Sequence, residues 1–188
     1  MDALGIGSAL GNVVTSAALA AAGMCAYVLA TSPGRTPLPR PVLWLAAPAF
    51  LLLAIDEGLE LHDRIGRWLY REHGVVAPGP INHVDDLFVI TYFGLGAVIF
   101  LLCLPSLMRT PVLLAGLIAS GLLLAAGTSL DALGSAGTWT DAIEEAGEAI
   151  GAVLLAAVFA REVRLAGAMR WPLATTERGL PQSARYQH

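Results

Sequence analysis

Residues 42–63 read VLWLAAPAFLLLAIDEGLELHD, fourteen apolar or proline positions followed at once by Asp56, Glu57, Glu60, His62 and Asp63. The stretch Val42–His62 is long enough to cross a hydrocarbon core of about 30 Å, which needs roughly 20 helical residues. It ends in acids that a membrane segment tolerates only at a cost, and intramembrane ionisable groups are by default candidates for function. A membrane helix closing on a carboxylate cluster is therefore the first expectation, and the rest of the chain repeats it.

Four further stretches have the same length and apolar character: Ser8–Ala30, Asp86–Leu107, Val112–Leu133 and Ile143–Val163. The whole chain is 56% hydrophobic and 14% charged, with a mean hydropathy of +0.66. This excludes a disordered chain and exceeds an ordinary soluble domain. The expectation is an all-α, polytopic integral membrane protein with about five transmembrane helices in a single domain, residues 1–170, and a polar tail, residues 171–188. The second to fifth spans are expected to form a four-helix bundle around a polar site near one membrane face. The first span, rich in alanine, is expected to pack outside it.

No basic region precedes the first apolar stretch, so that span reads as retained and not as a cleaved signal. Cys25 and Cys103 both lie in apolar runs without CxxC spacing, which argues against a disulfide framework or a zinc knuckle. The chain has eleven arginines and no lysine, which excludes a retinal Schiff base. No basic surface interleaved with aromatics suggests nucleic acid.

Arginine also orients the chain. Arg35, Arg40, Arg109, Arg161, Arg164 and Arg170 fall in loops on one side, and Arg64, Arg67 and Arg71 on the other. The positive-inside rule makes the richer side cytoplasmic, with the N-terminus outside and the C-terminus inside a bacterial inner membrane. Trp44 and Trp171 then sit at the inner interface, and Trp68 and Trp139 at the outer. Between the second and third spans, Asp63 to His73 sets Ile65, Trp68 and Leu69 against Arg64, Arg67 and Arg71, the pattern of a helix lying along the interface.

Eleven of the fifteen carboxylates lie in or at the ends of these spans: Asp56, Glu57, Glu60, Asp63, Asp85, Asp86, Asp131, Asp141, Glu144, Glu145 and Glu148. His62 and His83 lie among them. Alternating spans bring all of these groups to the same membrane face, whichever side that is. Asp56 and Glu148 then lie roughly 7 to 10 Å inside the boundary. On a continuous helix Asp56, Glu60 (about 40° away) and Asp63 (about 340°) share a stripe, with Glu57 beside it and His62, at about 240°, turned elsewhere. Asp141, Glu144, Glu145 and Glu148 share one face of the last span. Gly147 and Gly151 form a GxxxG pair there, and Gly7 and Gly11 another in the first span, a spacing that permits close helix contact.

Carboxylates and histidines projecting from facing helices are how bundles hold paired iron, manganese or zinc ions, and such cations would also relieve the repulsion among the acids. The candidate ligands are Asp56, Glu57, Glu60, His62, His83, Asp86, Glu144, Glu145 and Glu148, with Glu57 or Asp131 as general base for a lipid-directed hydrolase or oxidase. No Glu-x-x-His pair, His-Glu-x-x-His, Gly-x-Ser-x-Gly elbow or phosphate-cradling loop is present. Two other readings compete. Intramembrane acids also line proton and cation paths, although the inner halves read as almost purely Leu, Ala, Val and Phe. The other is an accessory subunit whose acids only solvate helix ends and complement the dipole of the last span. The expected partners are membrane lipids, with a homo-oligomer or larger membrane complex left open.

Overall fold

The computed structural model describes residues 3–33, 36–76, 84–132 and 138–167, and the side chains among them except at 3–8, 86, 128–132 and 138–141. Six helices account for nearly all of it: α1 (Ala3–Thr31), α2 (Arg40–Leu59), α3 (Leu61–His73), α4 (Asp86–Leu107), α5 (Pro111–Ala132) and α6 (Thr138–Leu165). Three stretches, Ala9–Thr31, Arg40–Leu59 and Leu87–Leu107, are long and apolar enough to cross a membrane, and Pro111–Gly127 is a shorter apolar run.

The packing reverses one expectation. α1 is not peripheral; it runs along both α2 and α6, and α6 in turn packs along α5. α4 meets α5 only lightly, with 6% of its apolar stretch buried against 44% for α1. A four-helix bundle of α2, α4, α5 and α6 with α1 outside is thus not what forms. The reason lies in side-chain size. Between membrane helices there is no hydrophobic driving force, so close van der Waals contact decides which helices meet. Ala18, Ala22 and Ala26, spaced by one helical turn, are buried on α1, as are Leu43, Ala47 and Ala54 on α2. At Gly23 an added methyl would stand only 3.0 Å from the Ala47 carbonyl oxygen. An edge-to-face contact between Tyr27 and Trp44 lies in the α1–α2 seam, and one between Phe50 and Phe159 links α2 to α6.

The α5–α6 seam uses the Gly147/Gly151 pair as the sequence suggests. A methyl at Gly151 would approach the Ser120 carbonyl oxygen to 3.0 Å, and one at Gly147 would lie 3.7 Å from the Gly127 Cα. α4, by contrast, is clothed in Leu95, Val98, Leu101 and Leu102, all exposed. An apolar surface of this kind suits lipid.

A second departure lies at the end of the stretch that opens this account. α2 stops at Leu59, and Glu60 adopts left-handed backbone angles (φ 49°, ψ 47°) before α3 begins at Leu61. Glu60 has the sole positive φ outside glycine among the described residues. That conformation costs a non-glycine residue roughly 1–2 kcal/mol and persists only where surroundings enforce it. Here the Asp56 carboxylate accepts from the His62 backbone N–H at 2.9 Å, while the Glu60 N–H turns back to the Asp56 and Glu57 carbonyls. α3 is the expected amphipathic helix, begun two residues earlier, and it ends on Gly74, whose φ of 61° lets the Gly74 and Val75 N–H groups reach the Tyr70 and Leu69 carbonyls.

Candidate functional site

The break at Glu60 overturns the single stripe drawn from continuous helical phase. His62 does not turn elsewhere; it folds back onto Asp56, its Nδ1 lying 3.1 Å from one carboxylate oxygen while its backbone N–H bonds the other. The far ring nitrogen, Nε2, faces Asp63 at 3.6 Å, and Asp63 in turn accepts from Arg67 at 3.2 Å. Asp56, His62, Asp63 and Arg67 therefore form one chain of charged and polar groups across the α2–α3 junction. A carboxylate on Nδ1 fixes the ring's orientation, as it does behind metal-bound or catalytic histidines.

Asp56 is thus both a backbone latch and a histidine orienter. Replacement by alanine removes two charge-assisted hydrogen bonds from a half-buried junction, and a destabilisation of about 1.5–3 kcal/mol is expected. Asp56→Asn, which retains an acceptor for the His62 N–H, should recover part of it. Thermal unfolding of the two variants in detergent checks this; equal losses would mean that the latch adds nothing to stability.

Beside this chain, Glu57 lies within electrostatic reach of Glu148 on α6 as well as of Asp56, His62 and Asp63. α2 and α6 are held at that spacing by α1 between them, and α1 contributes its own polar face. Asn12 donates to the Glu60 carboxylate at 3.4 Å, and the Ser16 hydroxyl to the Ala54 carbonyl at 2.6 Å. Gly11 leaves room for Glu145, whose Cβ would stand 3.4 Å from a methyl placed there. Glu148 is seated against Gly127 of α5, where a methyl would fall 2.9 Å from its Cγ. Glu144, Glu145 and Glu148 each have an interaction partner.

On the other flank, Gly66 of α3 lets the chain entering α4 come close, with Asp85 Oδ1 only 2.9 Å from where a methyl would stand. Asp85 also has an interaction partner.

The structure therefore brings together Asp56, His62 and Asp63, sets Glu57 near Glu148, and joins Glu60 and Glu145 to α1. His83 and the side chains of Asp86, Asp131, Asp141 and Trp139 lie outside the described residues, as does the tail from Trp171. Among the described residues no three His, Cys, Asp or Glu side chains converge closely enough to hold a metal ion, so the seven described members of the candidate set do not form such a group by themselves. Distance explains this in part: the α2 acids split between the His62 junction and the α6 face once the helix breaks.

Three contributors escape a reading based on charge. Gly11, Asn12 and Ser16 sit on α1, and Asn12 and Ser16 are spaced by one turn in a helix without charged residues, which is the signal that could have placed α1 beside the acids. A fourth polar group is Glu162, buried near the opposite end of α6 and paired with Arg161. It corrects the view that the inner halves are purely apolar.

No curated protein and no solved structure matches the chain. A family model does, over residues 4–162, a span that takes in all of the polar groups just described up to Glu162, and the chain accordingly belongs to the family described as Domain of unknown function (DUF8692).

Proposed function

We infer that this is an integral membrane protein of five spans, N-terminus outside and C-terminus inside, whose carboxylate and histidine cluster binds divalent or transition metal ions (iron, manganese or zinc) at the outer leaflet. The observation that carries this reading is the Asp56–His62–Asp63 chain at the α2–α3 junction, with Glu57 of α2 within electrostatic reach of Glu148 of α6. Acids from separate helices held this near one another within a membrane bundle repel unless a cation or proton compensates them. Asp56 meanwhile holds His62 in a fixed orientation, the arrangement that a metal-ligating or proton-transferring imidazole requires. His83, Asp86 and Glu144 complete the candidate ligands, Glu60 and Glu145 those on the α1 side, and Glu57 or Asp131 would serve as base toward a lipid substrate, by hydrolysis or oxidation.

The protein purified in detergent is expected to carry about one equivalent or more of such a metal, and a chelator should lower its unfolding temperature, because metal bound only to the folded state stabilises it. Glu57→Ala and Glu148→Ala should each lose most of the metal, whereas Glu72→Ala, on exposed α3 surface, should retain it. Elemental analysis reads all four. Metal below about a tenth of an equivalent in folded wild type, against the tight binding usual for built sites, would sink the reading.

A second reading, proton or cation transport, has one observation in its favour. Glu162 is buried in α6 on the far side of the membrane from Glu148, so acids occur at two depths of a single helix, as a conduit requires.

A further inference from the structure

At the face opposite the carboxylates, the α1–α2 and α4–α5 connections border an open cleft of about 340 Å³ lined by Thr36, Leu38, Ser106, exposed Arg109 and Thr110 together with two prolines. Its volume falls within the roughly 300–1,000 Å³ of small-ligand pockets. Of its lining residues Leu38 is buried, and three hydroxyls and one guanidinium stand beside it and the prolines. The Thr36 and Thr110 hydroxyls are held in place by donating to the Leu38 and Leu107 carbonyls, and the Arg109 N–H closes a turn on the Ser106 carbonyl.

The charge in this cleft is unbalanced. Among the described residues, neither the Arg109 guanidinium nor the Ser106 hydroxyl has an internal hydrogen bond or ion pair. The neighbouring cation, Arg40, is committed to the Ser32 carbonyl at 2.9 Å. A forked cation beside hydroxyls in a preformed pocket is suited to a phosphate group, whose oxygens a guanidinium engages in pairs. Ser106 and Arg109 also lie at the end of α4, the helix on which Leu101, Leu102 and neighbouring Met108 are exposed.

We propose that this cleft is a phosphate-binding site, recognising the phosphate of an anionic phospholipid through Arg109 and Ser106 while the acyl chains lie along α4. It is separate from the carboxylate cluster and does not depend on the metal reading. A soluble phosphate offers the same chemistry without the chains, and the test distinguishes the two sources.

The full chain in neutral detergent is titrated with phosphatidylglycerol, with phosphatidylcholine and with inorganic phosphate, binding being read by native mass spectrometry and by the rise in unfolding temperature. Wild type should bind phosphatidylglycerol saturably and more tightly than phosphatidylcholine. Arg109→Gln should bind it about tenfold more weakly, the usual scale for losing a charge-assisted contact. Arg71→Gln, the same change of charge on α3 at the other face, should bind as wild type does. Arg109-dependent binding of the lipid with none of inorganic phosphate identifies the lipid as the source, and Arg109-dependent binding of inorganic phosphate alone identifies a soluble one; both uphold the site. Equal weakening by Arg71→Gln and Arg109→Gln, or no difference between wild type and Arg109→Gln with either probe, overturns it. Should Arg109→Gln fail to fold, Arg109→Lys and Ser106→Ala decide, and unchanged binding in both is again a refutation.

Discussion

Gly127→Val is expected to destabilise the protein by about 2–3 kcal/mol or more, the range for forcing volume into a closed helix seam. A side chain there would begin 2.9 Å from the Glu144 carbonyl oxygen, 2.9 Å from Glu148 Cγ and 3.4 Å from the Glu148 backbone nitrogen. Two of these three neighbours are backbone, which cannot swing aside, so α5 and α6 must separate. Gly121→Val, on the same helix but facing open space, should cost little. Unfolding of both variants in the same detergent measures the difference. Because Glu148 is seated against Gly127, opening the seam should also displace its carboxylate, and Gly127→Val should lose metal together with stability. Equal behaviour of the two variants would mean that the seam is not closely packed.

Those two glycines illustrate what sequence could and could not convey. The helices themselves are legible, because hydropathy over 20 residues reports directly on the cost of exposing backbone and apolar surface in each medium. The close α5–α6 approach is legible too, since Gly147 and Gly151 fall on one face. Which helix sits centrally is not. In water the most apolar helix goes inside, but in lipid apolarity is no guide to burial. α4, the most hydrophobic of the three candidate spans, is accordingly the barest, and alanine-rich α1 lies between α2 and α6.

The site was legible as a group of acids and a histidine, Asp56 to Asp63, closing an apolar helix. It was not legible at the level of contacts. Angular arithmetic assumes an unbroken helix, and one residue in a left-handed conformation at Glu60 suffices to turn His62 from a bystander into the partner of Asp56. No local signal announces that break: Glu60 is neither glycine nor asparagine, and Gly58, the residue suggestive of a stop, lies inside α2, where it accommodates Ser16 of α1. The latch that enforces the break involves Asp56 and a backbone N–H six positions away, a tertiary contact in miniature.

The sidedness of the cluster leads to an all-or-none expectation that separates a site from a conduit. In liposomes of known orientation, Asp56→Cys and Glu145→Cys should be modified by a membrane-impermeant thiol reagent from the face bearing α3 and not from the face bearing the Arg109 cleft, both measured in a background with Cys25 and Cys103 replaced. A site that serves one leaflet needs water and lipid from one side only, whereas a transporter must expose the same groups to both in turn. Glu162 makes the comparison sharp. It is buried toward the Arg109 face but paired with Arg161, so a cation leaving Glu148 for Glu162 would have to displace that arginine after passing Ala152, Leu155 and Phe159, all buried and apolar. Without a polar group at that depth on α6, the desolvation barrier in the hydrocarbon interior opposes transfer. No saturable proton or divalent-cation flux is therefore expected under a gradient. Flux that disappears in Glu145→Gln and in Glu162→Gln, accompanied by labelling from both faces, would make the two acids stations on one path and replace the metal-site reading with transport.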